Sequence, residues 1–133
     1  MVPPDNDSSM VSILYVEDEL DAREILSSMI SRKYPNTHLY LAENGAKGLE
    51  AFEKHRPDIV ITDISMPLMD GLRMSSEIKK LNPDTIIVAI TAYSDTSYLL
   101  NTIETDINHY VLKPLDYRKF FSILDKSIAM IQL

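Results

Sequence analysis

The sequence has no cysteine, no long apolar run and few basic residues. Each of these features argues against a class of protein. None of the 133 residues is cysteine, which excludes disulfides, thiolate nucleophiles and cysteine-ligated zinc or iron–sulfur sites. The longest uninterrupted apolar run, residues 86–90, is far shorter than the roughly 20 residues that a membrane-spanning helix needs. Basic residues are in the minority, with 13 Lys and Arg against 20 Asp and Glu. The net charge of -7 therefore opposes direct binding to nucleic acid or to anionic membranes.

The length and composition fit one globular domain. A chain of 133 residues with 45% hydrophobic and 25% charged residues can bury a single core. The first ten residues, MVPPDNDSSM, are acidic and polar, whereas a secretion signal needs a basic patch followed by an apolar run. We therefore expect a flexible leader over residues 1–10, a domain over residues 11–131 and a cytoplasmic location.

Two patterns alternate along the chain and predict an α/β fold. Short runs rich in β-branched residues predict five strands, at residues 11–16, 37–41, 58–62, 85–90 and 108–112. Apolar stripes at helical spacing predict five helices between and after them. The stripes comprise Ala22, Ile25, Leu26, Met29 and Ile30; Ala46, Leu49 and Phe52; Leu72, Ile78 and Leu81; Leu99 and Ile103; and Phe120, Phe121, Leu124 and Ile128, with Asp116 as the N-cap of the last. Strands that alternate with helices form a doubly wound parallel sheet, which binds ligands at the C-terminal ends of its strands.

Polar residues follow four of the predicted strands. Glu17 and Asp18 follow the first, Asp63 the third, Thr91 the fourth and Lys113 the fifth. Taken singly, Asp18 could be a helix cap, Lys113 a surface lysine and Thr91 a turn residue. Their occurrence together at one edge of a sheet is poorly explained by those roles.

Three carboxylates at one edge require a cation or raised pKa values. Carboxylate oxygens suit Mg²⁺, which binds one or two of them and keeps several waters. Asp18 and Asp63 could hold this ion, Lys113 and Thr91 could contact a phosphoryl group, and Asp63 is the predicted nucleophile.

Four motifs in order resemble the receiver domain of bacterial two-component response regulators. They are ILYVEDE at residues 13–19, ITDISMPLMDG at 61–71, ITAY at 90–93 and YVLKP at 110–114. The resemblance implies a flavodoxin-like sheet of order 2-1-3-4-5. It also implies transfer of a phosphoryl group to Asp63 from a sensor histidine kinase or a histidine phosphotransfer domain.

The resemblance also implies roles for individual residues. Asp18 and Asp63 would bind Mg²⁺ directly, Glu17 through water and Ser65 through its backbone carbonyl. Thr91 would turn toward the phosphoryl group and Tyr110 would follow, changing the surface formed by the fourth helix, fifth strand and fifth helix, where a homodimer could also form. Other expectations are a cis Lys113–Pro114 bond, an opening of the third helix at Gly71 that uses a tight turn, and tuning of phosphoryl lifetime by Ser65 and Tyr93.

The alternatives fit the residues less well. A haloacid-dehalogenase-type phosphatase needs an aspartate where Ser65 stands. A flavin-binding flavodoxin must hold the flavin phosphate after the first strand, where the acids at residues 17–19 would repel it. A phosphorylation-independent interaction module remains the main alternative, although such modules lose the acceptor, an acid or the lysine. We expect no separate enzymatic domain. The output could be a downstream protein partner or a fused domain, and the chain could be a stand-alone regulator or a fragment.

Overall fold

A five-stranded parallel sheet forms the centre of the molecule. The computed structural model describes residues 10–92 and 106–133, and its strands stand in the order β2-β1-β3-β4-β5. The strands are β1 (Ser12–Val16), β2 (His38–Ala42), β3 (Ile59–Asp63), β4 (Ile86–Thr91) and β5 (His109–Leu112). The predicted sheet order is confirmed, and each predicted strand bound lies within one residue of the observed one.

The structure describes four helices in these two segments. They are α1 (Leu20–Lys33), α2 (Gly45–His55), α3 (Gly71–Leu81) and a C-terminal helix (Tyr117–Ile131). The further helix predicted around Leu99 and Ile103 lies outside the described residues, as does nearly all of the predicted leader. No helix in the described part of the chain has the length and apolar character needed to cross a membrane.

Side chains on the two faces of the sheet build two hydrophobic layers. Ile13 and Tyr15 of β1 point into the layer that contains α1 and the C-terminal helix. Leu14 and Val16 point into the opposite layer, which contains α2 and α3. Because both faces are covered, a central strand such as β3 is buried along its whole length and reads as a continuous apolar run.

The helices bury narrower stripes than predicted. In α1, Leu26 and Ile30 are buried, but Ile25 is 57% exposed. In α3, Met74 and Ile78 are buried, whereas Leu81 is 44% exposed. In each helix the two buried residues are four positions apart, so they lie on the same helix face, which packs on the sheet. Ile25 lies at the edge of that face in α1, and Leu81 is the last residue of α3.

The caps distinguish ordinary helix starts from the loop after β1. Asp116 caps the C-terminal helix as predicted, with its carboxylate accepting from the backbone N–H groups of Arg118 and Lys119. At the start of α1 the N-cap is Glu19, whose side chain makes no capping hydrogen bond. Helix capping therefore does not explain the run of acids that follows β1.

Candidate functional site

Three carboxylates meet at the C-terminal edge of the sheet. β1 and β3 are parallel neighbours with Val16 paired to Thr62, so the residues that follow these partners lie side by side. Glu17, Asp18 and Asp63 each present an oxygen, and the three oxygens all lie within 4.8 Å of one another. Glu17 and Asp63 are buried and Asp18 is exposed, so the cluster opens to solvent at Asp18.

An ammonium group is paired with the central carboxylate. Lys113 Nζ lies 2.6 Å from Asp63 Oδ2, although β5 and β3 are separated by β4. Burial alone would lower the pKa of Lys113, but the hydrogen bond to Asp63 and the nearby negative charges more than offset this and raise it. The Lys113–Pro114 peptide bond is cis, as the resemblance implies.

Burial and crowding also act on Glu17. Desolvation, a hydrogen bond with Asp18 and the charge of Asp63 together raise the pKa of Glu17 to about 7. Its carboxylate oxygen Oε2 accepts from the backbone N–H of Glu19 at 3.2 Å. The cluster thus has an excess of negative charge and a donor set made only of oxygen, which fits a hard divalent cation such as Mg²⁺.

Of the other predicted site residues that the structure describes, only Ser65 has a hydrogen bond to Asp63. Thr91 is buried at the end of β4, and its hydroxyl donates to the carbonyl of Ala92 at 3.3 Å. Tyr110 is half-buried and packs on the layer formed with α2 and α3; among the described residues its buried hydroxyl has no hydrogen-bond partner. Ser65 is exposed and donates its backbone N–H to Asp63 Oδ1 at 3.3 Å. Tyr93 lies outside the described residues.

A glycine lets α3 begin directly against the end of β3. A Cβ atom at Gly71 would overlap the carbonyl oxygen of Asp63, and the Gly71 N–H donates to the carbonyl of Ile64 at 2.8 Å. α3 begins at Gly71 as expected, but no glycine in the described residues has a positive φ. Close approach of the backbone, and not a special turn conformation, therefore explains this glycine.

The loop between β3 and α3 holds one strained residue. Leu68 has a φ of 69° and its side chain is 84% exposed. A leucine in the left-handed region is uncommon and costs roughly 1–2 kcal/mol. The N–H of Met69 donates to the carbonyl of Pro67 at 2.8 Å, which closes a three-residue turn with Leu68 at its centre.

Two contacts at the site escaped the sequence reasoning. The guanidinium of Arg23, in α1, donates from Nη1 to the carbonyl of Glu17 at 2.7 Å, and the N–H of Ser65 donates to Asp63 as described above. Helical side chains lean toward the N-terminus of their helix. The position of an arginine near the start of α1 could therefore have indicated a contact with the preceding loop. The Ser65 contact uses a backbone group, which residue type cannot reveal.

Comparisons with known proteins agree with this geometry. The response regulator receiver domain family matches residues 13–125. A response regulatory protein of Staphylococcus epidermidis is 34% identical over 117 residues, which cover 87% of this chain and 46% of that protein. The transcriptional regulatory protein ZraR of Escherichia coli is 32% identical over 119 residues, or 90% of this chain and 26% of ZraR. The chain thus spans about half the length, or less, of these relatives.

A solved structure supports the same assignment. The N-terminal domain of a protein from Wolinella succinogenes superposes with a TM-score of 0.81 at 34% identity, covering 90% of this chain and 95% of that one. The sheet order, the family match over most of the chain and this superposition point to the same group of proteins. The chain belongs to the family of response regulator receiver domains of two-component systems.

Proposed function

We propose that this receiver domain accepts a phosphoryl group on Asp63 in a Mg²⁺-dependent reaction. The observation that carries the proposal is the position of the Asp63 carboxylate, which is buried, 2.6 Å from the Lys113 ammonium and within 4.8 Å of two further carboxylates. A buried carboxylate with one cation and two like charges beside it is costly to maintain. Such a cost is typical of a site that serves chemistry.

The same residues supply ligands for the cation. Asp18 and Asp63 would bind Mg²⁺ through their carboxylates, Glu17 through a water and Ser65 through its backbone carbonyl. When bound, the ion would neutralise part of the charge on the phosphoryl oxygens. The exposed position of Asp18 leaves the cluster open on the side from which a phosphodonor must approach.

The transfer itself joins a carboxylate oxygen of Asp63 to phosphorus and releases a nitrogen leaving group. A carboxylate oxygen of Asp63 forms the new O–P bond while the N–P bond of a phosphohistidine breaks and the imidazole nitrogen keeps the electron pair. Lys113 would pair with a phosphoryl oxygen while staying beside Asp63. The Thr91 hydroxyl makes only a 3.3 Å bond to Ala92, so little is lost when it rotates toward another phosphoryl oxygen.

The donor and the output are parts of the same proposal. The donor would be a sensor histidine kinase or a histidine phosphotransfer domain, meeting this domain in the cytoplasm. Rotation of Thr91 would let Tyr110 move and alter the surface beside β5, which would bind a downstream protein, a fused output domain or a second copy of the domain. ZraR is named a transcriptional regulatory protein, which is consistent with an output of this kind.

Incubation with phosphoramidate and MgCl₂, followed by intact-mass measurement, tests the proposal. The P–N bond of phosphoramidate resembles that of phosphohistidine, so the wild type should gain the mass of one phosphoryl group. Asp63→Asn should gain none, whereas Asp84→Asn, which changes an exposed acid in the turn before β4, should behave as the wild type. A wild-type protein that stays unmodified would reject the proposal and favour a phosphorylation-independent interaction module.

A further inference from the structure

We propose that Arg23 is a positioning residue that holds the acidic loop between β1 and α1 in the geometry needed for cation binding. The cation-binding part of this inference rests on the proposed function. Arg23 Nη1 donates to the backbone carbonyl of Glu17 at 2.7 Å. A charge-assisted hydrogen bond of this length is stronger than one between neutral groups.

This contact is one of four hydrogen bonds made by Glu17, the side-chain bond with Asp18 being another. The Glu17 backbone N–H donates to the carbonyl of Ala42 in β2 at 3.0 Å, and its carboxylate accepts from the N–H of Glu19 at 3.2 Å. In the described part of the chain, the Glu17 carbonyl accepts a hydrogen bond from Arg23 only. The carbonyl of Glu17 and the N–H of Asp18 belong to one planar peptide unit, so fixing that carbonyl also fixes the direction in which the chain enters Asp18.

The backbone of Arg23 is fixed in α1, and its side chain is partly enclosed by neighbouring residues. Its backbone N–H donates to the carbonyl of Glu19 at 3.0 Å, which places Arg23 in the opening turns of α1. Its side chain is half-buried and lines the same surface cleft as Ala42 and Glu43, at the end of β2 and in the loop after it. The guanidinium therefore lies between the loops that follow β1 and β2.

Positioning and simple electrostatics predict opposite effects when the charge of Arg23 is removed. Arg23 is a cation beside a cation-binding cluster, so the loss of its charge alone should make Mg²⁺ bind more tightly. Loss of the hydrogen bond should free the Glu17–Asp18 peptide and make Mg²⁺ bind more weakly. The sign of the change in affinity thus separates the two roles.

Mg²⁺ affinity by isothermal titration calorimetry provides the first readout. Arg23→Gln should weaken binding by roughly tenfold, as is typical when a group that orients a metal ligand is removed. Arg32→Gln removes the same charge from the last turn of the same helix and should leave the affinity unchanged. Arg23→Lys, which keeps a donor and the charge, should recover part of the loss. Unchanged or tighter binding by Arg23→Gln would overturn the inference.

Hydrogen exchange in metal-free protein provides a readout that does not need Mg²⁺. The amide of Glu19, which donates to Glu17 Oε2, should exchange several-fold faster in Arg23→Gln than in wild type or Arg32→Gln, because the loop opens more often. Equal exchange rates would overturn the role of Arg23 in holding the loop. If wild type binds no Mg²⁺, the proposed function fails, while the exchange rates still decide whether Arg23 holds the loop.

Discussion

Asp18→Asn should stabilise the metal-free protein, because the acidic cluster opposes folding. Two unit charges at the 4.8 Å that bounds the cluster repel by about 3.5 kcal/mol at an effective dielectric constant of 20. Asp18 is exposed, and a pKa of about 7 leaves Glu17 partly protonated near neutral pH, so both effects reduce the repulsion. We expect the free energy of unfolding to rise by roughly 1–2 kcal/mol.

Asp18 is the best acid to change because its removal breaks little else. Asp63 is bonded to Lys113, so a substitution there would mix two effects. The hydrogen bond with Asp18 raises the pKa of Glu17, so the protonated Glu17 carboxyl donates and Asp18 accepts. The amide oxygen of an asparagine can accept in the same way, which preserves the local hydrogen bond while removing the charge. The matched control is Asp21→Asn in the first turn of α1, where a carboxylate favours the helix dipole and its loss should cost about 0.3–1 kcal/mol.

Urea unfolding monitored by circular dichroism, with EDTA and then with MgCl₂, would measure these changes. In EDTA, Asp18→Asn should unfold at higher urea than wild type, and Asp21→Asn at slightly lower urea. Mg²⁺ at 100 times its dissociation constant would stabilise wild type by about 2.7 kcal/mol, and Asp18→Asn should gain much less because it lacks a ligand. If Asp18→Asn were no more stable than wild type in EDTA, repulsion within the cluster could not be a significant cost of folding.

Three further predictions concern neighbouring residues. The pKa of Glu17, raised from 4.5 to about 7, adds stability that is complete below pH 4.5 and is lost as the pH rises through 7. Metal-free wild type should therefore lose stability over this interval and Glu17→Gln should lose less, whereas parallel pH profiles from urea unfolding would exclude Glu17 as the cause. Gly71→Ala should destabilise the protein by about 1–3 kcal/mol, despite the helix preference of alanine, because its Cβ overlaps the Asp63 carbonyl; a urea midpoint at or above that of wild type would contradict the overlap. Leu68→Gly should stabilise by about 0.5–1 kcal/mol by relieving a positive φ, and no gain in thermal unfolding would show that this conformation is not strained.

The sheet was predictable because a parallel sheet covered on both faces leaves a strong pattern. β1, β3 and β4 are buried almost throughout, so their sequences read as apolar runs between polar turns. The exact buried stripe of a helix was less predictable. Ile25 fits the spacing of α1, but it lies at the margin of the helix face that meets the sheet and stays exposed, since where a face ends depends on how the helix crosses the sheet.

The convergence of the acids and Lys113 was predictable for a related reason. In a parallel sheet the register of the strands decides which strand ends lie together, and side chains just after neighbouring ends are brought to the same edge. Arg23 and the N–H of Ser65 act from within a helix and a loop, so their contacts depend on the path of the backbone. The left-handed conformation of Leu68 has no signal in its residue type, because leucine disfavours it.

The contacts of Lys113 join Asp63 to the strand that carries Tyr110. Lys113 Nζ bonds to Asp63, and the Lys113 backbone N–H donates to the carbonyl of Thr91 at 2.8 Å. A phosphoryl group on Asp63 would therefore act on two residues, Thr91 and Lys113, that are already bonded to each other at the ends of β4 and β5. Because Tyr110 lies in β5 beside Ala89 of β4, a shift between these strands reaches it directly. Under the proposed function, the link between Asp63 and the surface beside β5 would therefore need only this one strand pair. Lys113→Arg, which keeps the charge but changes the geometry of its donors, is then a direct way to separate phosphorylation from output.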